Sequence, residues 1–330
     1  MPEFLSLTFL GQPLSLWLVF VAIVCTLLVL DLGVLHRESR EIGVRESLVL
    51  SAGYIGVALL FGAWIWQQLG PQSGLEYYTG FLVEKSLSMD NVFVIALVFA
   101  TFGVPRELQH RVLFWGILGV IVLRAIMIGL GAALITSVDW ILYVFGAFLV
   151  FTGIRMLRAG DTQPDLENSR LLRLLRRVLR VTPTLHGQAF FVRQPVRPGG
   201  PAVLWATPLF LALCMVEFAD LVFAVDSVPA IFAITPDPFI VYTSNIFAIL
   251  GLRALYFALA AVVHRFHYLK YALALVLVFI GAKIFLGDWL FDGKVPAVLS
   301  LGVTGGLLAG GILFSLWKTR GTPVAGTTGA

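Results

Sequence analysis

The sequence predicts an all-α membrane protein of about nine transmembrane helices, on three observations. Of its 330 residues 59% are hydrophobic and only 13% charged, with a mean hydropathy of +0.93, too apolar for an ordinary soluble domain. Apolar runs long enough to cross a hydrocarbon core of about 30 Å recur along the whole chain. Finally, 18 of the 23 lysines and arginines fall in alternate connections, where the positive-inside rule expects them.

The runs lie at about 14–35, 48–69, 77–101, 111–135, 139–157, 205–235, 240–262, 269–287 and 296–317. They divide the chain into a pair of helices (1–75), a three-helix unit (76–157), a basic loop (158–204), a second three-helix unit (205–290), a last helix (291–317) and a Gly/Thr-rich tail (318–330) expected to be disordered. The basic side collects Arg37, Arg40, Arg45, Arg106, Arg111, nine arginines from Arg155 to Arg197, Arg265, Lys270, Lys318 and Arg320, while the other side holds only Lys294. This places the N-terminus outside and the C-terminus in the cytoplasm of a plasma (bacterial inner) membrane. The first run has no basic residue before it and is followed by His36 and Arg37, so it is expected to stay as a helix and not be cleaved.

The formal charge of +4 is thereby a topology signal and gives no case for nucleic acid. Cys25 and Cys214, alone in apolar spans, offer no disulfide framework and read as small buried hydrophobes. All five histidines fall at or near the cytoplasmic connections, so a metal site inside the membrane would use oxygen donors. No nucleotide-binding motif is present and no organic cofactor is implied.

The informative residues are five carboxylates inside spans: Glu84 and Asp90 in the third, and Glu217, Asp220 and Asp226 in the sixth. Each uncompensated acid near a bilayer centre costs roughly 3 kcal/mol, so five cost on the order of 15 kcal/mol unless paired, hydrated or metal-bound. Glu84, Ser88 and Asn91 share one helical face, and Asp90 lies about 120° round from Glu84. In the sixth span Glu217 and Asp220 share a face, Asp226 is offset, and Pro229 removes the amide that would bond the Val225 carbonyl, so a break beside Asp226 is expected.

The acids belong to a repeat. Glu84 and Asp90 align with Asp220 and Asp226, VLRAIM around Arg124 with GLRALY around Arg253, and FTGIRM ending at Met156 with FIGAKI ending at Ile284. Spans three to five and six to eight therefore form two three-helix units of opposite orientation, an arrangement used by transporters with midplane sites. Lys85, Arg124 and Arg253 are the available counter-ions, the two arginines with gating or proton coupling as an alternative role. Asp31 and Lys283 lie near span ends and can reach water. Ser88, Ser227 and Asn245 either ligate or bond their own helices, and Met89 and Met215 read as packing. Counting Asp31, the intramembrane charges leave a formal excess of acid that a divalent cation would neutralise.

In the basic loop, Leu171, Leu174, Leu175 and Val178 oppose Arg170, Arg173, Arg177 and Arg180, an amphipathic helix over 170–180 expected to lie on membrane lipids. Residues 187–206 alternate about a Pro/Gly centre and suggest a hairpin.

EKSLSMDNVFV (84–94), EFADLVFAVDSVPAIFAIT (217–235) and TSNIFAILGLRALYF (243–257) resemble the signature stretches of the TerC/Alx membrane proteins, a family named for tellurium resistance, and the resemblance runs from about Asp31 to Phe285. It implies manganese efflux from the cytoplasm, with tellurite resistance a less direct association. It also implies that Glu84, Asp90, Glu217, Asp220 and Asp226 are the functional carboxylates. The residues alone lead to an oxygen-donor site for a divalent cation; the choice of Mn²⁺ as substrate comes from the resemblance. Three readings stand: a non-enzymatic secondary exporter, driven by an ion gradient or the membrane potential because no ATPase motif is present, with protons exchanged at the same carboxylates as the expected coupling; a membrane-embedded metalloenzyme; and a structural or assembly protein whose charges pair internally.

Overall fold

The computed structural model describes residues 7–30, 44–138, 140–158, 169–196, 200–259, 269–290 and 295–318, without the side chains of 44, 90, 93, 253, 254, 259 and 288–290. Asp31, most of 158–168 and the tail from 319 lie outside the described residues. The chain is an all-α membrane protein with two small β-hairpins. A turn of β1 (Thr8–Phe9) and β2 (Gln12–Pro13) leads into α1 (Leu14–Leu30), α2 (Val44–Leu69), α3 (Pro71–Thr101), α4 (Arg106–Ser137) and α5 (Ile141–Arg158). The loop carries α6 (Arg170–Val178) and the hairpin of β3 (Phe191–Pro195) and β4 (Ala202–Ala206), before α7 (Pro208–Phe232), α8 (Pro238–Leu259), α9 (Leu269–Leu290) and α10 (Ala297–Lys318).

Among the described residues six stretches are long and apolar enough to cross a membrane: Arg45–Leu69, Arg106–Ser137, Ile141–Arg158, Pro208–Phe232, Leu269–Gly287 and Ala297–Lys318. Leu14–Leu30 and Pro238–Leu252 are shorter apolar helices, and α3 is long enough but carries Glu76, Glu84, Lys85 and Asp90. Proline opens several helices where its missing N–H costs nothing: Pro71 in α3, Pro208 in α7 and Pro238 in α8. Gly70, at φ +92, turns the chain sharply between α2 and α3, a conformation that a side chain would strain. Asp237 Oδ1 accepts from the Phe239 amide at 2.9 Å and caps α8.

Helix α7 runs unbroken through Pro229 to Phe232, so the expected break beside Asp226 does not occur. One proline removes a single ladder bond, and α7 is held on both sides by α3, α4 and α5. The amphipathic α6 is also differently placed. Leu172 is buried, with Leu171 and Leu175 beside it, in the cluster that covers the ends of α3, α4 and α7, whereas Leu174 and Val178 stay exposed. The helix thus docks on the bundle by a stripe turned towards Leu172. Cys25, expected to be buried, lies on an exposed face of α1, and Cys214 is half buried; both are free.

The bundle packs α3 against α2, α7, α8 and α10, α4 against α7 and α8, and α5 against α7 and α9. A cluster of rings, Phe20, Phe61, Tyr77, Phe239 and Phe247, binds α1, α2, α3 and α8. Helices α5 and α9 approach closely, so that a methyl group on Gly281 would stand 2.5 Å from the Gly146 carbonyl oxygen and one on Gly153 2.7 Å from that of Ala274. In the sequence repeat Gly153 corresponds to Gly281 and Gly146 to Ala274, so these two contacts are images of each other. The pairings of α3 with α8 and of α4 with α7 are likewise exchanged by the repeat.

Over-packing a close contact costs about 1–3 kcal/mol. Gly281→Leu is therefore expected to lower the melting temperature of the detergent-solubilised protein by several degrees. Gly129→Ala, with nothing within 4 Å of the added methyl, should leave it unchanged or slightly raised.

Candidate functional site: a buried carboxylate and arginine cluster

Three helices contribute one polar stripe each to a common point. On α3, Glu84, Ser88 and Asn91 follow the i, i+4, i+7 spacing of one face. On α7, Asp220 and Ser227 are seven residues apart and so face the same way, and on α4 the group is Arg124. All are buried, Glu84 and Arg124 at 1% exposure. Arg124 is the hub: Nη2 meets Glu84 Oε1 at 3.0 Å, Nε meets Asp220 Oδ2 at 3.4 Å, and Nη1 donates to Ser227 Oγ at 2.6 Å. Asn91 Nδ2 donates to Asp220 Oδ1 at 3.1 Å, tying α3 to α7 a second time.

Beside this hub is a cavity of about 70 Å³ lined by Glu84, Ser88, Asn91, Arg124, Thr152 and Asp226, among others. Asp226 accepts a long bond of 3.5 Å from Thr152 on α5. Three acceptor atoms here, Glu84 Oε2, Ser88 Oγ and Asn91 Oδ1, are buried without a hydrogen-bond partner. Buried polar atoms are nearly always satisfied, so three together around a cavity mark a place suited to a ligand that accepts oxygen lone pairs.

Not every residue named from the sequence reaches this point. Glu217 shares a side of α7 with Asp220, yet its carboxylate packs into α4 where Gly119 lacks a side chain, and a methyl there would collide with both oxygens. Both oxygens of Glu217 are buried and unpartnered. Lys85 points away from the acids to α8, donating to the Ala248 carbonyl at 3.2 Å, and Gly251 leaves the space its amine fills. Its described partner is thus a backbone carbonyl in place of a carboxylate. Asn245 is fully buried on α8 with neither amide atom hydrogen-bonded. Among the described residues no three His, Cys, Asp or Glu side chains gather closely enough to hold a metal ion by themselves. The side chains of Asp90 and Arg253, and all of Asp31, lie outside the described residues.

Thr152 was not singled out from the sequence, although it lies in the FTGIRM stretch that the repeat aligns with α9. The Gly116 and Gly119 notch was legible only as two small residues three apart on one face of the fourth span.

The chain matches the integral membrane protein TerC family over residues 69–322. It is 47% identical over 315 residues to an uncharacterised membrane protein of Myxococcus xanthus, covering 96% of both chains. A membrane protein of Rickettsia bellii is 48% identical over 300 residues, covering 91% of this chain and 96% of the relative. A protein of Escherichia coli K12 described as a candidate membrane-bound redox modulator, Alx, is 46% identical over 316 residues, covering 93% of this chain and 95% of the relative. No solved structure matches the chain. The family match spans most of the sequence and these relatives align over nearly their full length, and the chain belongs to the TerC family of integral membrane proteins.

Proposed function

We propose that the protein is a secondary transporter that exports a divalent metal ion, Mn²⁺, from the cytoplasm through the cavity between α3, α5 and α7, in exchange for protons. The observation that carries this reading is the set of unpartnered buried oxygens, Glu84 Oε2, Ser88 Oγ and Asn91 Oδ1, around a cavity that also holds Asp226. Carboxylate, amide and hydroxyl oxygens suit a hard divalent cation, and manganese accepts six such ligands including water. The resemblance to manganese-exporting members of the family selects that ion.

Arg124 gives the mechanism its logic. Its guanidinium holds Glu84 and Asp220 together, so each carboxylate has a cationic partner without a metal ion while one formal negative charge is left over. A cation in the cavity competes with the guanidinium for Glu84, and protons compete with both for the same oxygens. Binding of one displaces another, which is the requirement for exchange. The matched contacts of α5 with α9, and of α3 and α4 with α8 and α7, support two inverted units that rock about this point. The N-terminus lies outside and the C-terminus in the cytoplasm on this reading, with α6 and its arginines against the inner leaflet.

One observation favours a second reading. Arg124 bridges two acids in a well-formed buried network, which is what a structural protein with internally paired charges would show. The two readings part on what charge-neutral substitutions do. Glu84→Gln and Asp226→Asn are each expected to abolish manganese tolerance in a host lacking its own exporter while the protein still reaches the membrane; full tolerance in both would leave only the structural reading. Asn91→Ala should weaken manganese binding by roughly tenfold in calorimetry on purified protein, because Asn91 orients Asp220 as well as facing the cavity.

Removing Arg124 leaves two buried acids uncompensated, at a cost of about 3–5 kcal/mol. Arg124→Met is accordingly expected to lower the melting temperature strongly, with part of the loss recovered when Glu84→Gln is added. The oxygen-donor site makes no use of thiols, and this chain has Cys25 and Cys214 only. Replacing both by serine should leave manganese tolerance intact.

A further inference from the structure

A second and larger cavity, about 230 Å³, lies one level along the same helices, lined by Gln72, Glu76, Thr79, Tyr143, Lys283 and Ser300 among others. It stands at the start of α3 and α5 and the end of α7, the ends that the charge distribution assigns to the outside. Its wall is mixed, with polar side chains set among Phe232, Ile234 and Ile284: Gln72 Nε2 donates to Glu76 Oε1 at 2.7 Å, and Lys283 Nζ to Ser300 Oγ at 3.2 Å. Both cavities are bounded by the same four helices, α3, α5, α7 and α9.

On each of these helices one apolar residue falls between the two linings, on the same stripe. On α3 Val83 separates Thr79 from Leu87; on α5 Leu149 separates Leu142 from Thr152; at the end of α7 Ala230 separates Ser227 from Ala233; on α9 Ile280 separates Leu277 from Lys283. The intervals are three, four or seven residues, so each stripe keeps to one face. Val83, Leu149, Ala230 and Ile280 are all at 0% exposure and belong to one packed cluster. The layer is about one helical turn thick, roughly 5 Å.

We propose that the larger cavity is an exit chamber for a hydrated divalent cation, and that the layer of Val83, Leu149, Ala230 and Ile280 is the gate closing it off from the carboxylate cavity. This rests on the transport reading above. A layer without polar atoms offers a cation nothing in exchange for its water, so a dry layer of side chains blocks an ion even where a narrow gap exists. The chamber beyond is suited to release. Glu76, Gln72, Thr79 and Ser300 supply oxygen atoms along its lining, while the Lys283 amine, one turn beyond Ile280, repels a cation from lingering beside the gate. Binding there is weak, as passage requires.

The test uses the full chain with Cys25→Ser and Cys214→Ser in sealed, manganese-free membrane vesicles of both orientations, and a membrane-impermeant thiol reagent. Ser300→Cys should label quickly from the chamber's side and Thr152→Cys slowly from that side. Adding Leu149→Ser to Thr152→Cys should raise its labelling rate from the chamber's side several-fold, and Ala230→Ser, which adds one oxygen, should do the same if Leu149→Ser fails to fold. An unchanged Thr152→Cys rate in a folded gate variant, with Ser300→Cys still labelled, overturns the gate, as does fast labelling of Thr152→Cys with the layer intact. Manganese flux down its gradient should rise alongside in Leu149→Ser. Faster labelling without such flux upholds the gate and counts against manganese as the substrate, so the two failures are separable.

Discussion

Arg124 is the constraint on which the interior depends. Its guanidinium is buried among Glu84, Asp220 and Ser227 at 1% exposure. Such a group is tolerated only if its partners are held at hydrogen-bonding distance, and that requirement fixes α3, α4 and α7 relative to one another. Asn91 adds a second tie from α3 to α7, and α8 lies against α3 and α4 around them. The polar centre therefore sets where the apolar faces meet, the reverse of a soluble protein, in which the apolar core sets where polar groups can go. Lipid offers little drive to bring helices together, so packing and polar contacts between them carry more of the burden.

The fold was largely legible in the sequence, because length, apolar composition and the placement of basic residues each depend on the membrane and need no knowledge of neighbours. The hairpin at β3 and β4 was visible in alternation about a Pro/Gly centre, and α6 in its 3.6-residue periodicity. What could not be read was which neighbour a given face meets. Spacing correctly grouped Glu84, Ser88 and Asn91, and also grouped Glu217 with Asp220, yet the glycines of α4 take Glu217 into their own notch. Glu84 and Lys85 are adjacent and so diverge by about 100°, which sends the lysine to α8 and away from its supposed partners. Pro229 was read as a break from backbone chemistry alone; flanking helices hold α7 continuous across the lost bond.

The glycine contacts between α5 and α9 bear on movement as much as on stability. Gly146 with Gly281, and Gly153 with Ala274, bring two backbones together, and the side chains of Ile284, Val278 and Val150 pack against the glycines. Such a seam resists separation of the two helices. It flanks both cavities, so a shift along it would alter the layer of Leu149 and Ile280 together with the site around Thr152. In this account the ion pairs hold the centre when no cation is bound, and the seam joins the two units that move when one is.

The claim that the carboxylate cavity carries a divalent cation across the membrane is tested most directly with purified protein in sealed liposomes bearing a proton gradient and a manganese-sensitive dye inside. The account predicts manganese accumulation driven by the gradient, accompanied by proton movement in the opposite direction, and a fall to the level of protein-free liposomes with Asp220→Asn. Manganese entry in the folded wild-type protein no faster than in protein-free liposomes, whatever the gradient, would contradict it.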